Sequence, residues 1–182
     1  MKLGSKLPEV TFHNRVRDES IGGENPFRWQ DQTTSDLFAG KNCLLIGLPG
    51  AFTPTCSTRQ LPSYDELATE FAELGIDTIY CASVNDAFVM YQWGKALGLK
   101  NIRMIPDGSG HFTRQIGMLV NKDNLGFGHR SWRYAAVVRD GVVDGWFEED
   151  GRCDNAADDP YEVSKPETVL EWLRGQTAEK AA

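Results

Sequence analysis

The sequence predicts an α/β fold, a central mixed β-sheet with helices on both faces. Two observations predict it. Short apolar runs bounded by turn residues alternate with segments whose apolar residues recur every three or four positions. Toward the C-terminus, two β-rich runs flank Asp140-Gly141, a hairpin signal that adds antiparallel pairing to a parallel arrangement.

The elements follow in order. "NCLLIGL", residues 42–48, is short, apolar and closed by Pro49-Gly50, so it reads as a buried strand. Leu61, Tyr64, Leu67, Ala68, Phe71 and Leu74 mark one face of a helix. Pro62 lies inside that pattern and predicts a kink or a first-turn irregularity. Residues 76–84 form a second buried strand. A helix over 87–97 follows, with Asn85 and Asp86 as candidate caps and Met90, Trp93 and Leu97 facing inward.

"DGSGHF", residues 107–112, reads as a turn before a short helix rather than a phosphate loop, and residues 134–147 as the hairpin. The acidic stretch 148–162 is expected to be a surface loop. Residues 164–167, "SKPE", have capping-box spacing before a last helix whose apolar side is Val169, Leu170, Trp172 and Leu173. Residues 176–182 are expected to fray. Without internal repeats or low-complexity linkers, 1–182 reads as a single domain.

Composition narrows the function classes. A net charge of −7 without a basic cluster disfavours nucleic acid as a partner. No stretch approaches the roughly 18 apolar residues of a membrane span, and the N-terminus lacks a signal-peptide run. A cytoplasmic location is therefore expected, where thiols stay reduced. The cysteines are Cys43, Cys56, Cys81 and Cys153. They contain no CxxC, and His13, His111 and His129 form no HxxxH pair, so metal-ligand spacing is absent, and a reducing compartment argues against a disulfide framework.

Cys56 lies in "LPGAFTPTCSTRQL", where a strand ends and a helix begins near residues 54–56. Unpaired amides and the dipole at a helix start favour an anion, a recognised way to hold a thiolate at neutral pH. Thr53, three residues earlier, is close enough to hydrogen-bond the sulfur or a ligand. Taken alone, Thr53 and Cys56 could equally cap a helix and fill a gap.

"PGAFTPTC" matches Pro-x-x-x-Thr-x-x-Cys at Pro49, Thr53 and Cys56, and so resembles the peroxiredoxin active site. Residues 81–98, 130–143 and 159–173 resemble further segments of the type II, or peroxiredoxin-five, branch, and they occur in the family's order. The resemblance implies a thioredoxin-like fold and a thiol-dependent peroxidase acting on hydrogen peroxide and alkyl hydroperoxides. It makes Cys56 the peroxidatic cysteine, oxidised to a sulfenic acid. Thr53 would align the peroxide, Pro49 would shield the centre from water, and Arg133 would support the thiolate. Arg130 is expected to be a solvated loop arginine.

The resemblance further implies a homodimer, no bound cofactor or metal, and an external thiol reductant. Two cysteines could resolve the sulfenic acid. Cys153 lies in the acidic loop but lacks a close motif. Cys81 is separated from Cys56 by 24 residues, a spacing found in the branch, yet lies in an apolar strand. Cys43 is expected to be a core thiol. The route without a second cysteine uses glutathione and a separate glutaredoxin, with thioredoxin as the other reductant. An alternative is a peroxide sensor or holdase switched by Cys56 oxidation.

Overall fold

The computed structural model describes residues 1–181. The chain opens with an antiparallel pair, β1 (Thr11–Arg17) and β2 (Phe27–Thr33), and a short helix, α1 (Thr34–Phe38). Then come β3 (Asn42–Gly47), α2 (Leu61–Glu66), α3 (Ala68–Glu73), β4 (Thr78–Ser83), α4 (Ala87–Ala96) and β5 (Ile102–Pro106). The remainder is α5 (His111–Gln115), β6 (Leu119–Asn121), β7 (His129–Ser131), β8 (Tyr134–Arg139), β9 (Val142–Glu148) and α6 (Pro166–Ala181).

The central sheet has the order β5-β4-β3-β8-β9. β3, β4 and β5 run parallel, while β8 pairs antiparallel with both β3 and β9, giving the expected mixed sheet. Asp140 and Gly141 both have positive φ (49° and 74°), as a two-residue hairpin turn with the sheet's twist requires.

Alternation along β3 feeds two cores. Cys43 and Leu45 face one core with Tyr80, Tyr134, Ala136 and Val138, covered by Phe38, Phe112 and Trp132. Leu44 and Ile46 face the other with Ile79, Cys81, Ala135 and Val137, covered by Tyr64, Phe71, Trp93, Val169 and Leu170. Each leucine, isoleucine, valine and phenylalanine among them contributes about 1.5–3 kcal/mol on burial. Cys56 belongs to the second core.

Several details differ from the sequence expectations. The helix over 61–74 is two helices, broken at Leu67. Residues Cys56–Gln60 wind as a wide π-turn, with Leu61 N–H donating to Cys56 O. Pro62 has no N–H to give to Thr58 O, and its ring crowds that carbonyl. The irregularity it predicts therefore falls in the turn before it.

The last helix starts at Pro166 and Ser164 Oγ donates to Glu149 at 2.7 Å, so the serine read as part of a capping box ties down the preceding loop instead. The last helix spans Pro166–Ala181, and Ala182, the end of the segment expected to fray, lies outside the described residues. β1 and β2 escaped sequence reading because Phe12 is their one fully buried side chain. Among the described residues, no helix is long and apolar enough to cross a membrane.

Candidate active site

The site is built at the C-terminal end of β3. A side chain at Gly47 would overlap the Tyr134 ring, so glycine there lets β3 pass close to the start of β8, beside Arg133. Gly50 has φ +154°, and a side chain there would press on Arg130 and Asn85. Asn85 Oδ1 accepts from Ala51 N–H at 3.0 Å and Ser83 Oγ at 2.7 Å, clamping the loop to β4. The capping role falls to Asp86 alone, which accepts from Phe88 and Val89 N–H. Arg130 departs from its solvated expectation: it is half-buried, donates to Val84 O at 3.1 Å and backs Gly50.

The helical run begins at Pro54, and its first intrahelical bond is Ser57 N–H to Thr53 O at 3.0 Å. The Thr55 and Cys56 amides precede that bond, so they are the unpaired donors of a helix start. Thr53 Oγ1 donates to Gly50 O at 2.8 Å. Its lone pairs remain free to accept. Pro49, at the start of the same loop, is buried. Trp93 Nε1 donates to Ser57 Oγ at 3.0 Å and ties α4 to the π-turn.

Arg133 converges on Cys56. Its Nη1 donates to Cys56 Sγ at 3.4 Å and to Gln60 Oε1. Its Nε donates to Pro160 O at 3.0 Å, and Nη2 to Asp159 Oδ2 at 2.5 Å. Arg133 is 1% exposed and Cys56 0%. Burial works against the guanidinium charge, but Cys56 and Asp159 more than offset it and raise the Arg133 pKa. Gln60, fully buried, keeps Nε2 without a partner.

The 148–162 stretch is therefore more than a surface loop, because Asp159, Pro160 and Tyr161 wall the site. Tyr161 lies 5.6 Å from the Arg133 guanidinium and 5.4 Å from that of Arg59. The buried Glu149 carboxylate holds this wall in place. It accepts from Glu162 N–H (2.8 Å), Ser164 N–H (2.8 Å) and Ser164 Oγ (2.7 Å). Glu149→Ala leaves these donors unpaired and is expected to cost about 2–4 kcal/mol. Urea unfolding measures this, and a loss below about 1 kcal/mol would remove Glu149 as the anchor. Gln60, Glu149, Asp159 and Pro160 carried no motif signal. Gln60, for one, lies 73 residues from the Arg133 it meets.

The other thiols occupy different surroundings. Cys43 is buried on the opposite core, its pKa pushed up to about 11 by that burial. Cys81 shares the Cys56 core, and burial followed by the nearby Cys56 charge raises its pKa well above the ordinary thiol value. Both therefore stay protonated and weakly nucleophilic at neutral pH. Cys153 is exposed. Its neighbours are fastened to the β6 end: Asp154 Oδ1 accepts from Asn121 N–H at 2.8 Å, and Asn155 N–H donates to Asn121 O at 2.7 Å. A maleimide applied to the folded protein at neutral pH is expected to label Cys153 rapidly. Cys43 and Cys81 should react only after denaturation, as peptide mass spectrometry would read. Rapid labelling of Cys81 would contradict its burial.

A thiol facing a fixed cation and unpaired amides, with a hydroxyl ready to accept a hydrogen bond, is suited to direct attack by sulfur on a polarised oxygen. With the mixed sheet that carries it, this arrangement defines a thiol-dependent peroxidase of thioredoxin-like fold. The Redoxin family matches residues 2–160. Over 174 residues the chain is 63% identical to a peroxiredoxin of Rhizobium etli, covering 96% of this chain and 97% of that one. The crystal structure of Plasmodium falciparum antioxidant protein, a 1-Cys peroxiredoxin, superposes with TM-score 0.88 at 37% identity, covering 94% and 99% of the two chains. Reduced Prx3 of Vibrio vulnificus in complex with hydrogen peroxide superposes with TM-score 0.82 at 36% identity, covering 97% and 98%. The chain belongs to the Redoxin family, among the peroxiredoxins.

Proposed function

We propose that this protein reduces hydrogen peroxide and small organic hydroperoxides at Cys56, with an external thiol closing the cycle. The observation that carries the proposal is the buried Arg133 guanidinium, donating to Cys56 Sγ while Gln60, Pro160 and Asp159 hold its plane. A cation fixed there favours the thiolate and faces the negative charge that grows as the O–O bond stretches. The thiolate lone pair attacks one peroxide oxygen and the O–O bond breaks. The departing oxygen takes up a proton and leaves as water or an alcohol. Sulfur becomes a sulfenic acid, oxidised by the two electrons that the peroxide gains. Thr53 Oγ1 accepts the peroxide O–H, the Thr55 and Cys56 amides donate, and Pro49 keeps bulk water out.

Two features support a cycle without a resolving cysteine: Cys81 is a buried thiol, and the segment around Cys153 is fastened to Asn121. A glutathione thiol then condenses with the sulfenic acid and releases water. Glutaredoxin or a second glutathione reduces the mixed disulfide. The 1-Cys description of the Plasmodium relative points the same way. Steady-state peroxide consumption tests the proposal. Many turnovers with glutathione and glutaredoxin support it. Turnover with thioredoxin alone, through a Cys56–Cys81 or Cys56–Cys153 disulfide, would overturn the glutathione route. A single stoichiometric burst with every reductant would favour a sensor.

We also assign a homodimer packed beside the site. Phe52, on the Cys56 loop, and Phe88, on α4, are 58% and 52% exposed. Phe52 holds a positive φ of 61°, a strained conformation for an aromatic residue. A reducing cytoplasmic setting suits four free cysteines. Sedimentation velocity tests the dimer, which a purely monomeric boundary at micromolar concentration would exclude.

A further inference from the structure

Away from Cys56, β5 borders a cavity of about 560 Å³ that lies among β1, β2 and α4. That volume is within the span of about 300–1,000 Å³ usual for small-molecule sites. Its floor is apolar, with Phe12, Leu37, Met90, Ile102, Met104 and Ile105. The two methionines are adaptable surfaces for an aliphatic chain.

The charge around this cavity runs against that of the whole chain. The lining includes Arg15, Lys95 and Arg103 and no aspartate or glutamate, in a protein with 26 acidic and 19 basic residues. Among the described residues, none of these three cations belongs to an ion pair. The Arg15 guanidinium is positioned by aromatic rings rather than by a carboxylate. It lies 4.4 Å from the Phe88 ring centroid, 5.1 Å from that of Phe27 and 5.7 Å from that of Trp29.

Gly94 adds an independent indication. It sits in the third-last position of α4, where glycine costs roughly 0.5–1 kcal/mol relative to alanine. It lines the cavity, and a side chain there would come to 3.2 Å from Met104 Cγ. Glycine at this position leaves the recess open.

We propose that this cavity binds an amphiphilic anion, a free medium-chain fatty carboxylate. Its chain lies over the apolar floor, and its carboxylate is held between Arg15, Lys95 and Arg103. Guanidinium groups match a carboxylate in two-point geometry, and the lining has no acid to repel it. The site shares no residue with the Cys56 pocket, so it stands apart from the peroxidase proposal.

Calorimetric titration with decanoate, below the concentration at which it forms micelles, tests this. One saturable site per chain is expected, with decanol and decyltrimethylammonium binding at least tenfold more weakly. The variant Arg15→Gln/Lys95→Gln/Arg103→Gln should weaken decanoate at least tenfold and leave hydrogen peroxide consumption unchanged. Gly94→Leu, which fills the recess and keeps all three cations, should also weaken it, with the thermal midpoint confirming folding. No saturable decanoate binding, equal binding of the cationic analogue, or undiminished binding by the triple-charge variant would each overturn the proposal. Its failure would leave the Cys56 chemistry untouched, because peroxide consumption is measured separately.

Discussion

Cys56→Ser is expected to bring peroxide consumption down to the background of the uncatalysed reaction, a loss of roughly 10⁴-fold or more. A serine hydroxyl is far less ionised than a thiol at neutral pH and cannot be carried through a sulfenic acid. The fold should survive the change. Arg133 keeps Gln60, Pro160 and Asp159 as partners, so no buried charge is left unpaired. The variant should therefore lose no more than about 2 kcal/mol of unfolding free energy. Activity and urea unfolding measured on the same sample separate loss of the nucleophile from loss of structure. Retained turnover in the folded variant would remove Cys56 from the chemistry.

Arg133 makes the second large prediction, and here activity and stability should fall together. Arg133→Met keeps much of the side-chain volume but removes the charge and every donor. The peroxide step is expected to slow by about 10²–10³-fold, the usual effect of deleting one donor aimed at developing negative charge. Pro160 O, Gln60 Oε1 and Asp159 lose their partner as well. Asp159 is partly exposed and can be rehydrated, so its share of the cost is small. The buried Gln60 and the Pro160 carbonyl bring the expected loss to about 2–4 kcal/mol. Arg133→Lys restores the charge but not the planar fork, so it should recover part of the stability and less of the rate. If Arg133→Met reacted with hydrogen peroxide as fast as the parent, the guanidinium would be a structural strut alone.

The contrast between these residues and their partners shows what the sequence made legible. β3 and β4 were readable because apolar runs end at turn residues, and the β8–β9 hairpin because Asp140-Gly141 suits positive φ at both turn positions. Pro49, Thr53 and Cys56 stood out because they lie at short spacing around one strand-to-helix turn. Gln60 lies four residues past Cys56 and was passed over. A glutamine in a helical stretch gives no sign that it will be fully buried against an arginine on β8.

Asp159 and Glu149 were hidden by a different cause. In an acidic run, most carboxylates are solvated, and composition cannot separate the two that turn inward. The π-turn was half legible. Pro62 announced an irregularity, but the wide turn forms on its N-terminal side, at the carbonyls the proline cannot serve. β1 and β2 gave almost no signal, because strands with one buried residue lack the alternation that marks a half-buried sheet.

The central claim is that Cys56 Sγ takes the peroxide oxygen. Its most direct test adds one equivalent of hydrogen peroxide to the reduced protein in the presence of a dione that traps sulfenic acids, followed by peptide mass spectrometry. The account predicts the adduct on the peptide carrying Cys56, with Cys43, Cys81 and Cys153 unmodified. Peroxide consumed with the adduct on Cys153, or with none on Cys56 while another thiol carries the oxygen, would contradict it.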